Sequence, residues 1–206
     1  MSEVVGLFPI PILRSEGLLG ADLVTKLIQE IMQAGLIANA KSDGLSHSAI
    51  MSPRAEGPFA AVAEFVQPKL VEFGSLLFGE NLDWSIKEIW ANFLETGGQQ
   101  SVHNHANSFV SGVLYLTPSH PSANLIFHKG LGGTDFSFTN QNKNVRFGPY
   151  NGGKWMLPKI AAGDLVLFPS YLLHEVPINR GERRISLAFN AIPARLDSFG
   201  YAINFS

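Results

Sequence analysis

The stretch Arg184-Ile185-Ser186-Leu187-Ala188-Phe189-Asn190-Ala191-Ile192 decides the fold, because its residue types alternate as they do in a β-strand. Successive side chains of a strand point to opposite faces of the sheet. One face therefore carries Arg184, Ser186, Ala188 and Asn190. The other face carries Ile185, Leu187 and Phe189. Since this second face is entirely apolar, we predict a strand over residues 184–192 that buries it in a core.

Several other short stretches share this strand-like composition. They are residues 84–95, 110–117, 124–127 and 164–168. Thr96-Gly97-Gly98 has the composition of a turn, and the Gly-rich residues 129–153 are predicted to be loop with at most one short strand. No helical periodicity separates these strands, so the pattern favours a β-sandwich or jelly roll over residues 82–195.

The first eighty residues have a different periodicity. Apolar residues recur at helical spacing over 21–38 and over 59–78, where Gly79 is predicted to end the second helix. Residues 4–13 contain two prolines, which restrict them to an edge strand or an extended arm. Residues 41–58 are rich in Ser, Gly and Pro and are predicted to be loop.

These elements combine into an α+β fold, in which helices pack outside a jelly-roll core. The length of 206 residues fits one domain over 1–206. Within it, residues 1–81 form the arm and the supporting helices, and residues 82–206 form the β core.

The composition excludes several classes of protein. Hydrophobic residues make up 46% of the chain and charged residues only 16%, whereas about 25% of the residues of an average soluble protein are charged. Intrinsic disorder is therefore excluded, because there is ample apolar surface to bury. The chain has no cysteine, which excludes disulfides, cysteine-ligated zinc sites and thiol catalysis.

The net charge of −2 is unevenly distributed. Residues 1–100 carry 6 basic and 12 acidic residues, and residues 101–206 carry 9 and 5. The acidic half argues against general nucleic-acid binding, whereas the basic half suits an anionic small molecule. No apolar run is long enough to span a membrane and no basic signal-peptide region is present, so we expect a cytoplasmic protein. The sequence leaves open whether the protein forms a homodimer and whether its substrate is a small molecule or a peptide.

Three histidines form a candidate metal site. At the period of a strand, His103 and His105 lie on one face of an extended segment, which suits two adjacent positions on one metal ion. His174 ends the apolar run from Gly163, where a polar ionisable group needs a partner. The pair His103 and His105 alone also fits solvated histidines beside a turn, and His174 alone also fits a hydrogen-bonded core histidine. Together the three residues favour a metal site.

Arg184 and Ser186 form a second candidate site on the strand over 184–192. They share one face, two residues apart, and a planar guanidinium with a neighbouring hydroxyl can bind a carboxylate. Arg183 points the other way and is expected to be solvated. Tyr115 and Asn92 are candidates for lining the same pocket, because they would present polar groups among apolar neighbours.

Five motifs in order along the chain resemble a known family. They are Leu7-Phe8-Pro9-Ile10-Pro11, Trp90-Ala91-Asn92, His103-Asn104-His105, Ser111-Gly112-Val113-Leu114-Tyr115-Leu116, and Phe168-Pro169 with His174. With the Arg-x-Ser pair they resemble the 2-oxoglutarate- and Fe(II)-dependent oxygenase superfamily, and in it a group of small bacterial and phage oxygenases related to prolyl hydroxylases. The resemblance spans roughly residues 4–192.

The resemblance implies a double-stranded β-helix fold and an enzyme that hydroxylates a substrate, with release of succinate and CO2. It implies that Fe(II), or another divalent metal, binds His103 and His174. It also implies that 2-oxoglutarate is the co-substrate and that Arg184 and Ser186 hold its distal carboxylate.

Position 105 departs from the superfamily pattern, which usually has a carboxylate there. A neutral imidazole does not offset the charge of the metal, and imidazoles also suit Zn, Ni and Cu. His105 remains the predicted third ligand, with Asp135 or Glu175 as alternatives. Glu175 is the weaker of these, because neighbouring residues His174 and Glu175 point apart.

Two other functions compete with the oxygenase. A cupin-type metal enzyme without 2-oxoglutarate would share the Gly97-to-His105 and Gly163-to-His174 spacings, but it needs no Arg184 and Ser186. A non-catalytic protein with a degenerate metal site would explain His105. Of the remaining histidines, His128 is predicted at the rim of the pocket. His47 and His120 are predicted to be solvated.

Overall fold

A computed structural model describes residues 2–33, 35–40, 42–51, 58–130, 140 and 142–205. Within them lie two α-helices, α1 (Ala21–Gln33) and α2 (Pro58–Phe78). The strands of the first half are β1 (Leu13–Ser15), β2 (Leu36–Ala38), β3 (Leu45–Ser48), β4 (Trp84–Leu94), β5 (Gln100–His103) and β6 (Val110–Tyr115). The later strands are β7 (Ile126–His128), β8 (Lys154–Met156), β9 (Leu165–Pro169), β10 (His174–Val176), β11 (Arg184–Pro193), β12 (Arg195–Ser198) and β13 (Tyr201–Asn204).

Two antiparallel sheets form the body of the fold. The major sheet has the order β1-β9-β6-β11-β4-β3-β2, and the minor sheet has the order β5-β10-β7-β8. Phe168 of the major sheet packs edge to face on Phe127 of the minor sheet, with 5.1 Å between ring centroids, so one core lies between the sheets. A second core lies between the major sheet and the two helices. This arrangement confirms the predicted α+β fold with a double-stranded β-helix core and helices outside it.

The strand over 184–192 occupies the centre of the major sheet, as its alternation predicts. It pairs with β4 on one side and β6 on the other. Ile185, Leu187 and Phe189 are buried against the helices. The opposite face, which begins with Arg184 and Ser186, therefore points into the space between the sheets.

The N-terminal segments differ from the sequence predictions in detail. The first helix ends at Gln33 instead of residue 38, because residues 36–38 pair with β3 as an exposed edge strand. The predicted loop over 41–58 contains β3, which pairs with β4 although its Ser-rich sequence has low strand propensity. Pairing along the edge of the sheet overrides local propensity in both places. Residues 52–57 of that predicted loop lie outside the described residues.

The other predicted boundaries lie close to the observed ones. Helix α2 begins one residue before its predicted start, and Gly79 ends it with a φ of 73°. Of the predicted N-terminal arm, Leu13 alone enters a strand, at the edge of the major sheet. The short strands β5 and β10 and the C-terminal hairpin β12–β13 were not predicted, because each has only three or four residues.

Gly112 allows β6 and β11 to pack under a large aromatic ring. It lies opposite Phe189, and a Cβ atom at Gly112 would stand 2.1 Å from Cζ of that fully buried ring. We expect Gly112→Ala to lower the free energy of unfolding by about 1–3 kcal/mol or more, the cost of overpacking a core. Urea unfolding followed by circular dichroism measures this. Gly153→Ala, whose Cβ meets nothing within 4 Å, is the control, and equal midpoints for the two variants would contradict the prediction.

Candidate metal centre

Three imidazoles meet at the edge of the minor sheet. His103 ends β5 and His174 begins β10, and the two residues are directly opposite each other in the antiparallel pair. His105 follows two residues after His103. The ring centroids are 4.2 Å apart for His103 and His174, and 5.2 Å apart for each pair that includes His105. One ligand nitrogen from each ring lies within 4.8 Å of the others. The structure thus brings together the three histidines that the sequence singled out.

Backbone carbonyls orient two of these rings. His103 Nδ1 lies 2.8 Å from the Ser101 carbonyl oxygen, and His174 Nδ1 lies 2.8 Å from the Leu172 carbonyl oxygen. Each Nδ1–H donates to its carbonyl, so each Nε2 keeps a lone pair for a metal ion. The carboxamide of Gln100, 3.2 Å away, donates to this lone pair of His103 Nε2, so a metal ion bound there would replace that hydrogen bond. No sequence pattern points to Gln100, because its contact with His103 depends on the short strand β5.

Burial keeps the three rings uncharged. It lowers the pKa of His103, and it lowers the pKa of His174 to about 3, helped by the neighbouring His103. Burial and His103 also lower the pKa of His105 to about 4, and Glu88 partly offsets this. Near pH 7 all three imidazoles are therefore neutral, which is the form that binds a metal.

The donor set suits a divalent transition metal. Among the described residues the cluster consists of imidazoles alone, and such a set suits Fe, Zn, Ni or Cu. The alternative ligand Glu175 points away from it, because its Oε1 lies 2.8 Å from Lys154 Nζ and 3.0 Å from His128 Nε2. The other alternative, Asp135, lies outside the described residues.

Aromatic side chains enclose the cluster. The ring of Phe168 lies 4.7 Å from that of His174, and the ring of Phe127 lies 6.2 Å from it. Trp90 lies 6.0 Å from His105. These aromatic rings limit the access of water to the three imidazoles. The resulting burial lowers the pKa values of the imidazoles.

Arg184 is a buried cation without an acidic partner among the described residues. Its side chain points between the sheets and the residue is 4% exposed. Nη1 donates to the Ala123 carbonyl oxygen at 2.6 Å, whereas Nε has no hydrogen-bond partner in the described part of the chain. The fully buried hydroxyl of Tyr115 also has no partner among the described residues, and the Tyr115 ring centroid lies 5.6 Å from Arg184 Cζ. Burial raises the pKa of Tyr115 to about 12, so its hydroxyl remains a donor.

These two unpaired donors define a place for an anion. A buried polar group without a partner costs about 1–3 kcal/mol, and a carboxylate that accepts from Arg184 and Tyr115 would remove that cost. Ser186 lies opposite both Tyr115 and Asn92 in the register of the sheet, so all four predicted pocket residues line the same face.

The remaining predicted residues lie outside this pocket. Arg183 is exposed, as predicted, and its Nε lies 2.7 Å from Glu95 Oε1. His128 was predicted at the rim of the pocket, but it lies on the opposite face of the minor sheet from Phe127, where it contacts Glu175. His120 is exposed, but His47 is half-buried on β3, opposite Asn92. His47 was predicted in a loop, but it lies on β3, whose short Ser-rich sequence has no strand pattern.

The fold and the pocket define a class of protein. Helices pack on one face of a double-stranded β-helix, and a cluster of imidazoles and a buried arginine lie between its sheets, which is an arrangement suited to a metal-dependent enzyme that binds an acid. Residues 88–190 match the model of the family described as "Putative 2OG-Fe(II) oxygenase". This match covers half of the chain, and the protein belongs to this family of 2-oxoglutarate- and Fe(II)-dependent oxygenases.

Solved structures share the fold at low sequence identity. HygX from Streptomyces hygroscopicus, with nickel, 2-oxoglutarate and hygromycin B bound, is 15% identical and superposes with a TM-score of 0.65, over 89% of this chain and 83% of that one. A Pseudomonas putida prolyl-4-hydroxylase is 20% identical, with a TM-score of 0.57 over 88% and 92%. A 2OG-Fe(II) oxygenase family oxidoreductase from Burkholderia pseudomallei is 12% identical, with a TM-score of 0.61 over 88% and 84%.

The search of curated proteins found no match. Neither helix among the described residues combines the length and the apolar character that crossing a membrane requires.

Proposed function

We propose that His103, His105 and His174 hold the Fe(II) of this oxygenase, and that Arg184 holds 2-oxoglutarate while an organic substrate is hydroxylated. The observation that carries the proposal is the pair of unpaired donors, Arg184 Nε and the Tyr115 hydroxyl, in the same interior as the three imidazoles. A buried guanidinium without an acidic partner fits a carboxylate ligand. The HygX structure, which contains nickel and 2-oxoglutarate, supports the same combination.

Each side chain has a defined task in this scheme. The three imidazoles bind the metal, which with dioxygen and 2-oxoglutarate supplies the oxidising chemistry. Arg184 and Tyr115 donate to the distal carboxylate of the co-substrate, and Ser186 adds a third donor. Asn92 lines the interior beside Ser186. Arg184 and the metal cluster lie on different sheets, so a co-substrate that reaches both has to lie across the space between them.

The aromatic residues exclude water from the reacting groups. Phe168 and Phe127 surround His174, and Trp90 borders His105. A dry site strengthens the attraction between Arg184 and a carboxylate, because the effective dielectric constant is lower than in water. It also protects reactive species from side reactions.

The direct test is turnover of 2-oxoglutarate. The protein is incubated with Fe(II), ascorbate and 2-oxoglutarate, and succinate is measured. We expect succinate in the wild type and none when Fe(II) is chelated. A protein that binds metal but neither binds nor turns over 2-oxoglutarate would instead support the cupin-type enzyme or the non-catalytic protein.

Tyr115→Phe separates ligand binding from stability. We expect 2-oxoglutarate to bind about 10- to 100-fold more weakly, the range for a hydrogen bond to a charged group. The free energy of unfolding of the ligand-free protein should not fall, because the hydroxyl has no partner to lose. Calorimetric titration and urea unfolding measure the two quantities, and Tyr150→Phe, at an exposed ring, is the control. Lower stability with unchanged affinity would mean that the hydroxyl serves the fold.

A further inference from the structure

A row of polar side chains crosses four neighbouring strands of the major sheet. Ser170 follows β9, Ser111 lies on β6, Asn190 on β11 and Glu88 on β4. Ser111 Oγ lies 2.9 Å from Ser170 Oγ and donates to Asn190 Oδ1 at 2.8 Å, and Asn190 Nδ2 donates to Glu88 Oε1 at 2.7 Å. Three of the four residues are buried, and the Glu88 side chain is 24% exposed. The row therefore ends at the Glu88 carboxylate, which is held by a hydrogen bond from the buried Asn190.

A β-bulge turns this carboxylate inward. Asn190 is opposite Glu88, but the next residue, Ala191, is opposite Ile86, so Lys87 is the extra residue on β4. Before the bulge, Ile86 faces the helices, and strict alternation would send Glu88 the same way. After the bulge, Ile89 faces the helices instead. Glu88 consequently joins the face that looks into the space between the sheets.

The inward position places Glu88 on the interior face that also carries Trp90, a neighbour of His105. The His105 backbone N–H donates to the Ser170 carbonyl oxygen at 3.0 Å, at the far end of the polar row. Trp90, the next residue on the Glu88 face of β4, lies 6.0 Å from the His105 ring. Burial and His103 lower the pKa of His105, and the Glu88 carboxylate partly offsets this.

One cation lies near Glu88. Lys87 Nζ is 3.6 Å from Glu88 Oε1 and also donates to the Asn107 carbonyl oxygen at 3.3 Å. Its side chain is 30% exposed, so solvent weakens its effect. Both Lys87 and Asn190 contact Oε1. The negative charge of Glu88 is therefore only partly compensated.

We propose that Glu88 supplies, from outside the coordination shell, the negative charge that a ligand set of three imidazoles lacks. The inference rests on the proposed metal centre. A carboxylate ligand would offset one unit of the metal's charge, and three neutral imidazoles offset none. Asn190 fixes Glu88 on the interior face, two residues from the Trp90 that borders His105, so its charge stabilises a bound cation through the protein interior, where electrostatic interactions are stronger than in water. Glu88 is a positioning and charge-compensating residue of the site.

The test compares two removals of one negative charge. Glu88→Gln keeps an oxygen that can accept from Asn190. Glu95→Gln removes a charge from the 42% exposed partner of Arg183. In anaerobic Fe(II) titrations and in Co(II) titrations, we expect Glu88→Gln to weaken binding about 10- to 100-fold, because it removes one negative charge that attracts a divalent cation through the protein interior. Glu95→Gln should change it less than about twofold.

Two further readouts separate charge from structure. The visible spectrum of the Co(II)-loaded Glu88→Gln protein should match the wild type, because the three ligands are unchanged. The Fe(III)/Fe(II) potential should rise, because a carboxylate stabilises the more highly charged ferric ion. Glu88→Asp keeps the charge, and its potential should lie close to that of the wild type even if its stability is lower.

Each outcome decides between the two proposals. Equal affinities and potentials for Glu88→Gln and Glu95→Gln, with metal bound normally in both, would overturn the role of Glu88 and leave the metal centre intact. A changed Co(II) spectrum in Glu88→Gln would also overturn it, because Glu88 would then be a ligand or a structural support. A wild type that binds neither metal would overturn the metal centre itself, and this inference with it.

Discussion

Arg184→Ala is expected to weaken 2-oxoglutarate binding by about 2–4 kcal/mol, or roughly 30- to 1,000-fold, the scale for truncating one partner of a buried charged pair. The guanidinium is 4% exposed, faces the space between the sheets and has no acidic partner among the described residues. A co-substrate carboxylate would be its counterion. Loss of the side chain removes at least one charge-assisted hydrogen bond in a site of low dielectric constant.

Metal affinity should be nearly unchanged in Arg184→Ala. Arg184 lies on β11 of the major sheet, whereas His103 and His174 lie on β5 and β10 of the minor sheet. Arg183→Ala is the matched control, because the neighbouring guanidinium is exposed and pairs with Glu95 at the surface, where such pairs contribute little. Calorimetric titration of 2-oxoglutarate into metal-loaded protein measures both variants. If the two behave alike, Arg184 does not hold the co-substrate.

Substituting any of the three clustered imidazoles by alanine is expected to lower metal affinity by more than about 100-fold. Removal of partners that only orient ligands costs about 10- to 100-fold, and removal of a ligand should cost more. The variants are His103→Ala, His105→Ala and His174→Ala, and metal content after dialysis measures the loss. The control is His128→Ala, a half-buried imidazole on the adjacent strand β7 that contacts Glu175.

His105→Asp is the informative variant at the position where the chain departs from the superfamily pattern. A carboxylate is a good ligand for Fe(II), so this variant should keep its metal while His105→Ala loses it. Full affinity in His105→Ala would mean that His105 is not a ligand. Asp135 would then become the candidate for the third position.

Residue patterns predict much of this fold because the two cores impose two clear periodicities. The alternation of Ile185, Leu187 and Phe189 predicts both the central strand and the face that buries Arg184 and Ser186. The helical spacing over 59–78 predicts α2 to within one residue. The approach of His174 to His103 and His105 could be expected because two histidines at strand spacing and a histidine that ends an apolar run together indicate a shared metal ion.

Other parts of the site depend on pairing that leaves no local pattern. Strand β5 has four residues and β10 has three, so the contact between Gln100 and His103 could not be predicted. Alternation alone places Glu88 on the same face as Ile86, and the bulge at Lys87 reverses this. Bulges of this kind are set by the register of the neighbouring strand and have no signature within the bulged strand itself.

His103 and His174 lie directly opposite each other in the β5–β10 pair, and this position affects local unfolding of the sheet edge. Strand β5 is the outermost strand of the minor sheet and pairs on one side only, with β10. Short edge strands of this kind open far more often than central ones such as β11, which has ten residues and neighbours on both sides. A metal ion bound by both imidazoles would act as a clamp across the β5–β10 pair, so its binding free energy would hold this edge closed. Metal loading would then slow amide hydrogen exchange in β5 and leave the exchange of β11 nearly unchanged.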